Sequence, residues 1–177
     1  ANVNALGVIR ILEAIREFSN KTRFYQASSS EMFGSTGSKM QHEKTLFNPI
    51  SPYAISKLHA HWMTKLYRNA YGLHCSSGIL FNHDSPLRGN EFVTKKIVRD
   101  LVKFKFKNIK YMTLGNIYVR RDWGYSADYV EAMWKMLQQK SPKDYVIASG
   151  KQYSVKQFVD LVLKELNIKY TWTVSYT

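Results

Sequence analysis

The stretch SPYAISK, residues 51–57, is the most informative part of the sequence, because it opens a predicted helix with two candidate functional side chains on one face. Ser51 and Pro52 are typical of a helix start, as the N-cap and a first-turn residue. Tyr53 and Lys57 lie four positions apart, so their side chains are neighbours on the predicted helix. A phenol has a pKa of about 10 in isolation, and a nearby ammonium lowers it. The pair could therefore act as a general base at neutral pH.

A hydroxyl and a carboxylate precede this helix. The run RFYQAS, residues 23–28, carries aromatics and is bounded by loop residues, so it is predicted to be a strand. Ser29 and Glu31 follow its C-terminal end, the side on which open α/β sheets bind ligands. Tyrosine and lysine at this spacing also occur together by coincidence on surface helices. The nearby hydroxyl and carboxylate favour a catalytic set instead.

The rest of the pattern alternates helices with short strands, which predicts an α/β domain with a parallel sheet. Helix ends are marked by Gly72, by Ser126 as an N-cap and by Ser154 as an N-cap. A stripe that includes Tyr129 and Trp134 is predicted to be core. Further helices are predicted over 2–18, 52–71, 92–106 and 154–166, and further strands over 74–80, 110–114, 145–149 and 170–174.

Two local patterns predict no site of their own. The stretch GSTGSK, residues 34–39, lacks the Gly-Lys-Ser/Thr ending of a phosphate loop and is predicted to be a flexible surface loop. His59 and His61 are two positions apart, about 200° around the helix, so they do not share a metal easily. No metal site is predicted.

The residues Ser29, Glu31, Tyr53 and Lys57 together resemble the catalytic set of extended short-chain dehydrogenases/reductases that act on nucleotide sugars. Two further stretches resemble the GDP-mannose 4,6-dehydratase family within that group. They are GILFNHDSP at 78–86 and RDWG at 121–124 running into DYVEAMW at 128–134. The similarity extends from about Asn2 to about Trp172.

The resemblance implies a Rossmann-like, doubly wound parallel sheet with a smaller substrate-binding domain. The chain contains no Gly-rich dinucleotide turn of the kind that opens such a sheet. We therefore expect an internal fragment that holds the second half of the sheet, with the N-terminal dinucleotide-binding half absent. Residues 1–83 would carry the catalytic core, and residues 84–177 would mix substrate-binding segments with the remaining core elements.

The activity implied by the resemblance is the dehydration of GDP-mannose to GDP-4-dehydro-6-deoxy-mannose, with NADP as cofactor and a homo-oligomer as the full-length state. The residues carried over from the family fall into three groups. Catalysis is assigned to Ser29, Glu31, Tyr53 and Lys57; cofactor binding to Tyr53, Lys57, His83 and Arg88; and substrate binding to Asn82, Val93, Lys96 and Arg121.

Several positions depart from the family pattern or leave alternatives open. Leu87 replaces a usual arginine and Glu91 a common asparagine, which puts cofactor and oligomer contacts of that loop in doubt. Ser30 separates the chain from the dTDP-glucose dehydratases, which carry an aspartate there. Lys96 could equally belong to a solvated basic face. The alternatives are another nucleotide-sugar epimerase or dehydratase, which need not have Glu31, or a catalytically inactive fragment.

Composition is consistent with this prediction. The net charge of +13 invites a nucleic-acid hypothesis, but the lysines are scattered, with one dense basic segment at 103–110. A diphosphate substrate and cofactor also favour positive charge, so no dedicated nucleic-acid partner is predicted. The single cysteine, Cys75, allows no intrachain disulfide and suits a reducing compartment. Without an apolar run long enough for a membrane span, a cytoplasmic protein with no membrane partner is expected.

Overall fold

The computed structural model describes residues 2–35, 40–107 and 111–171. The chain divides into unit 1, made of Ala1–His83 and Gly124–Ser149, and unit 2, made of Asp84–Trp123 and Gly150–Thr177. The chain thus enters unit 2 after His83, and the predicted segment 84–177 contributes elements to both units.

Helices and short strands alternate along much of the chain. A π-helical turn, Asn2–Leu6, precedes the first α-helix, and a 3-10 turn, Ser30–Phe33, follows the first strand. In chain order they are α1 (Gly7–Phe18), β1 (Phe24–Ser29), α2 (Pro52–Tyr71), β2 (Cys75–Leu80), β3 (Asn82–Asp84), α3 (Val93–Lys107), β4 (Arg120–Tyr125), α4 (Ser126–Gln138), β5 (Asp144–Ile147), β6 (Gln152–Ser154) and α5 (Val155–Glu165).

Unit 1 is built on a parallel sheet with strand order β1-β2-β5. Ser29, at the end of β1, is in register with Leu80 at the end of β2, and Leu80 with Ile147 at the end of β5. The three strands therefore end at one edge. Every residue of β2 is buried, as expected for a parallel strand between two neighbours. The predicted α/β class with a parallel sheet is confirmed.

Helix α2 begins and ends as its sequence predicts. The Ser51 hydroxyl accepts a hydrogen bond from the Ala54 N–H at 3.1 Å, which satisfies one of the unpaired donors of the first turn. Pro52 occupies the first turn, where its missing N–H has no cost. Gly72 closes the helix with φ of 67°, a left-handed conformation that glycine adopts without strain. The N-terminal cap therefore places Tyr53 in the first turn of α2.

Two apolar clusters form the core of unit 1. One joins α1 and α2 to the start of β2, and the other packs the 3-10 turn after β1 against the sheet. The buried members of the first are Leu12, Ile15, Tyr67, Leu73 and Cys75, and those of the second are Met32, Phe33 and Ile79. The second cluster anchors the turn that carries Glu31.

Unit 2 has its own core between α3 and α5. Its buried residues are Ile97, Leu101, Val155, Val159 and Leu163. Strands β4 and β6 pair antiparallel, with Arg121 in register with Tyr153. Helix α5 begins with the predicted cap. The Ser154 hydroxyl accepts a hydrogen bond from the Gln157 N–H at 3.1 Å, and the Gln157 side-chain oxygen accepts one from the Ser154 N–H.

Three expectations are wrong. Residues 111–114 form no strand, and the Thr113 carbonyl accepts a hydrogen bond from the Lys96 side chain at 3.2 Å instead of a ladder bond. Ser126 is the first residue of α4 and does not cap it, because β4 runs directly into that helix. Trp134 is 62% exposed, whereas Met136 supplies the buried contact expected from that helix. Strand β4 was not predicted.

Two expectations concern residues at the limits of what the structure describes. The loop predicted over 34–39 falls mostly on residues 36–39, which lie outside the described ranges, as do residues 172–174 of the last predicted strand. Among the described residues, no helix is both long enough and apolar enough to cross a membrane.

Candidate active site

The first two predicted catalytic residues sit where β1 ends. Ser29 caps the 3-10 turn, and its hydroxyl accepts a hydrogen bond from the backbone N–H of Glu31 at 3.2 Å. Ser29 is half-buried and Glu31 is exposed. The turn is held from below by the buried side chains of Met32 and Phe33. The hydroxyl and the carboxylate are therefore fixed to the same short turn, with the carboxylate facing solvent.

The other two lie on the first turns of α2. Tyr53 is 45% exposed, and the Lys57 Nζ atom lies 5.7 Å from the centre of its ring. Lys57 donates a hydrogen bond to the Ala27 carbonyl of β1 at 2.9 Å. Burial lowers the pKa of the Lys57 ammonium, because a charged group is less stable away from water.

The two pairs meet at the N-terminus of α2. The Ser51 hydroxyl donates to the Glu31 carboxylate at 3.5 Å, a long hydrogen bond, and Ser51 is the N-cap of α2, whose second residue is Tyr53. A helix N-terminus also favours a negative charge beside it. The four side chains Ser29, Glu31, Tyr53 and Lys57 thus gather where the end of β1 meets the start of α2, an arrangement called here the catalytic corner.

His83 is held in one orientation within unit 1. Its ring stacks on Tyr129, with centroids 4.5 Å apart and an interplanar angle of 20°. The His83 Nδ1 atom lies 2.9 Å from the Phe81 carbonyl. Since a carbonyl can only accept, this contact requires a proton on Nδ1. Gly124 makes room for this stack, because a Cβ there would collide with the Tyr129 ring.

Asn82 and His83 also lie at the correct edge of the sheet. They follow Leu80, the register partner of Ser29, by two and three residues. Asn82 is exposed and His83 half-buried. Both therefore emerge at the C-terminal edge to which the catalytic corner belongs.

Arg88 lies in the loop before α3, and Val93 is the first residue of that helix; both belong to unit 2. The Arg88 Nε atom is 2.8 Å from an oxygen of Asp84, an ion pair outside hydrogen-bond geometry, and its guanidinium lies 3.5 Å over the Phe92 ring. The other Asp84 oxygen accepts from the Thr94 hydroxyl at 2.8 Å. Val93 is 38% exposed. Arg88 is therefore oriented by partners from its own segment.

Lys96 and Arg121 also belong to unit 2. Lys96 donates to the Thr113 carbonyl at 3.2 Å, a bond that leaves its positive charge unneutralised. Arg121 is exposed on β4 and donates to the Arg120 carbonyl at 2.9 Å. Both could pair with a phosphate group. The four predicted binding residues of unit 2, Arg88, Val93, Lys96 and Arg121, are called here the binding set.

Sequence reasoning missed three contributors. Ser51 was read only as a helix cap, although it also reaches the Glu31 carboxylate. Tyr129 was assigned to the core; it is buried, and it also supports His83. His61 was considered only as a metal ligand, and it joins a buried polar cluster beneath the corner. Its spacing of four from Lys57 was the signal that could have placed it on the same helix face.

The fold is similar to that of solved structures. Over 94% of this chain and 58% of the other, it is similar to RMD from Pseudomonas aeruginosa complexed with NADPH, with a TM-score of 0.87 and 24% identity. Over 95% of this chain and 53% of the other, it is similar to dTDP-glucose 4,6-dehydratase from Bacillus anthracis in complex with NAD, with a TM-score of 0.85 and 22% identity. The α/β architecture of this chain is thus shared with both solved structures.

Comparison of sequences identifies the family more narrowly than comparison of folds. The family model for GDP-mannose 4,6 dehydratase matches residues 1–177. The chain is 49% identical over 174 residues to the GDP-mannose 4,6 dehydratase of Drosophila melanogaster, covering 97% of this chain and 44% of that protein. It is 53% identical over 165 residues to GDP-mannose 4,6 dehydratase 1 of Arabidopsis thaliana, covering 91% and 45%.

The chain belongs to the GDP-mannose 4,6-dehydratase family, as its motifs predict. It spans about half the length of the curated relatives it matches.

Proposed function

We propose that the chain forms the catalytic part of an enzyme that dehydrates GDP-mannose to GDP-4-dehydro-6-deoxy-mannose through an NADP-dependent internal redox cycle. The observation that carries this proposal is the catalytic corner, in which a hydroxyl, a carboxylate, a phenol and an ammonium meet at one edge of the sheet. Family membership supports the choice of sugar nucleotide.

The corner fits the nicotinamide and ribose end of a dinucleotide. Lys57 uses one N–H on the Ala27 carbonyl and has two more to donate to ribose hydroxyls. Tyr53, Lys57 and His83 would hold this end. A cofactor contact of Arg88, which belongs to unit 2, stays a prediction from the family resemblance. When bound, the cofactor accepts hydride from the sugar C4 and returns it to C6. NADP as the preferred form is part of the proposal and is supported by the NADPH-bound structural neighbour.

Tyr53 acts first, as a general base. Its phenolate removes the proton of the sugar 4-hydroxyl while hydride leaves C4, so C4 becomes a ketone. Lys57 supports this step because its positive charge favours the phenolate. The Ser29 hydroxyl hydrogen-bonds the C4 oxygen and stabilises the charge that develops on it.

Glu31 acts on the neighbouring carbons. The new ketone acidifies the proton on C5, and the Glu31 carboxylate removes it. Glu31 then protonates the 6-hydroxyl, which departs as water and leaves a double bond between C5 and C6. Hydride added to C6, and the proton that Tyr53 took from the 4-hydroxyl delivered to C5, would saturate that bond and return Tyr53 to its phenolate form. The sugar has then lost one water with no net oxidation, which explains why a carboxylate accompanies the tyrosine and lysine.

The binding set supplies affinity in this proposal. Arg121 pairs with the substrate diphosphate, since a guanidinium binds phosphate oxygens in a bidentate manner. Asn82, Val93 and Lys96 contact the rest of the sugar nucleotide. Unit 2 accordingly serves as part of the substrate-binding domain and unit 1 as the second half of a doubly wound sheet.

A Glu31→Gln variant of the full-length protein separates this activity from that of a related epimerase. With GDP-mannose, we expect reduced nicotinamide to form while the 4-keto-6-deoxy product is lost, because only the elimination needs the carboxylate. Absorbance of the reduced cofactor and chromatography of the product report the two steps. Glu17→Gln, an exposed residue of α1, is the matched control. Wild-type product formation by Glu31→Gln would overturn the assigned role.

Three further features complete the proposal. The 177 residues tested alone are expected not to bind the cofactor, because most phosphate contacts of a Rossmann site come from its first half. The full-length enzyme is expected to be a homo-oligomer. A cytoplasmic location stays a prediction from the cysteine usage.

A further inference from the structure

A buried polar cluster lies beneath the catalytic corner. It consists of Ser28, His61, Arg68 and Asp144 and is called here the inner polar cluster. The Ser28 Oγ atom is 3.1 Å from His61 Nδ1, and Arg68 donates to both carboxylate oxygens of Asp144 at 3.0 Å. Ser28 is 5% exposed and His61 is 2% exposed. Polar groups buried this deeply destabilise the fold unless they form hydrogen bonds, so the bonds within the cluster fix its arrangement.

The cluster has the residue types of a hydrolytic triad but not its access or geometry. His61 Nε2 is 3.9 Å from the nearest Asp144 oxygen, beyond hydrogen-bond distance. Ser28 is buried, so its hydroxyl cannot meet a substrate carbonyl. A nucleophilic role for Ser28 is therefore excluded by burial.

The position of His61 along α2 points to a structural role for the inner polar cluster. His61 follows Lys57 by four residues, so both side chains leave the same face of the helix. Lys57 bonds the Ala27 carbonyl at 2.9 Å, and His61 bonds the side chain of Ser28. Two successive turns of α2 are thus bonded to two successive residues of β1. The next residue of β1 is Ser29, in the catalytic corner.

The His61 ring has little freedom to move. The Phe47 ring contacts it edge-on at 5.2 Å between centroids, and the Trp62 ring does so at 5.8 Å. Burial lowers the pKa of His61, so the ring is neutral near pH 7. The tautomer with a proton on Nε2 points that proton toward the negative Asp144, which leaves Nδ1 to accept from the Ser28 hydroxyl.

We propose that His61 is a positioning residue. Through its bond to Ser28 it fixes where α2 lies along β1, and thereby the placement of Tyr53 and Lys57 beside Ser29. This inference rests on the proposed function of the corner. The Arg68 bonds to Asp144 and to the Cys75 carbonyl, at 3.0 Å, fasten the same face of α2 to β5 and β2.

The test compares two replacements of His61 in the full-length protein. His61→Leu removes the bond to Ser28, whereas His61→Asn keeps a side-chain acceptor near the Nδ1 position. We expect kcat for GDP-mannose to fall by at least about tenfold in His61→Leu with KM changed less than about twofold, because small displacements of catalytic groups cost rate. His61→Asn should restore most of the loss. His59→Leu, on the exposed side of the same helix, should match wild type.

A second readout does not depend on turnover. Tyrosine labelled at the ring carbon bearing the hydroxyl reports phenol titration by NMR, and Tyr53→Phe assigns the Tyr53 signal. His61→Leu should raise the pH at which Tyr53 titrates, because Lys57 moves away, while His61→Asn and His59→Leu should not. Should His61→Leu fail to fold, Ser28→Ala removes the same bond with a smaller change in volume.

The outcomes separate the two proposals. Unchanged kcat and unchanged Tyr53 titration in a folded variant lacking the bond would overturn the positioning role, as would a loss that His61→Asn fails to restore. If the wild-type protein does not turn over GDP-mannose while the Tyr53 titration still moves, the proposed substrate is wrong and the positioning role is supported.

Discussion

The catalytic corner of unit 1 and the binding set of unit 2 differ in how their polar side chains are held. In the corner, Ser29 accepts from the Glu31 backbone and Lys57 donates to the Ala27 carbonyl, so rigid elements fix their geometry. In the binding set, Arg121 is exposed and Lys96 bonds a loop carbonyl. The fold therefore fixes the positions of the side chains in the catalytic corner, whereas the binding set contributes positively charged side chains. Substitutions should therefore lower kcat in the corner and raise KM in the binding set.

The largest effect is expected from Tyr53→Phe, which removes the proposed base and keeps the ring. The kcat for GDP-mannose should fall by about 10³-fold, within the range that general acid-base groups supply. Formation of the 4-keto sugar measures it. Tyr71→Phe, on the exposed end of the same helix, serves as the control. A loss below about threefold would mean that Tyr53 is not the base and that the corner is not catalytic.

Lys57→Met should have the next largest effect, because it removes the charge and keeps most of the side-chain length. We expect kcat to fall by about 10²-fold, and the pH at which activity rises should move upward, since the phenolate loses its neighbouring cation. A pH profile of kcat from the full-length enzyme tests this. Lys65→Met on the same helix is the control. An unshifted profile would contradict the role given to the ammonium.

Arg121→Ala probes the other side of the comparison. Loss of a charged phosphate contact should raise KM for GDP-mannose about tenfold and leave kcat within about threefold. Arg120→Ala is a neighbouring control, since the Arg120 side chain is occupied by the Gln152 carbonyl at 2.8 Å. If Arg121→Ala instead lowered kcat at constant KM, the separation between geometry and charge would fail.

The smallest effect concerns stability and its dependence on pH. Burial lowers the pKa of His61 in the folded state, whereas the unfolded chain binds this proton near pH 6.5. Stability is therefore present above about pH 6.5 and is lost as the pH falls below it, by at most ~1.4 kcal/mol per pH unit. His61→Asn should flatten this slope in chemical denaturation between about pH 7 and pH 5, and His59→Asn should not.

His61 is not expected to account for the whole pH dependence of stability, because His74 contributes as well. Its pKa is also lowered, mainly by burial, so some acid sensitivity should persist in His61→Asn. A slope identical to that of wild type in His61→Asn would show that His61 does not contribute to it.

Much of unit 1 could be predicted because its signals are local. The cap at Ser51 and the glycine at position 72 bound α2, and the continuous burial of β2 follows from a short run between turn residues. The proximity of the four side chains follows from local spacing, since Tyr53 and Lys57 share a face of α2 and Glu31 lies in the turn that follows Ser29. Their catalytic roles stay a prediction.

What could not be predicted depends on partners far away in the sequence. The partner of His61 is Ser28 on β1, and no periodicity on α2 reports it. Strand β4 could not be predicted from local signals, because residues 121–124 match a family motif and the partner strand, β6, lies far along the chain, with Arg121 in register with Tyr153. Residues 111–114 look like a strand but are bonded by a lysine side chain.

The most direct test of the central claim follows the hydrogen on C4 of the sugar. GDP-mannose carrying deuterium at C4 is incubated with the full-length enzyme, and the position of the label is read by NMR. If the catalytic corner runs an internal dehydration, the product is a 4-keto sugar with deuterium at C6. Deuterium that returns to C4 without loss of water would contradict the account and indicate an epimerase.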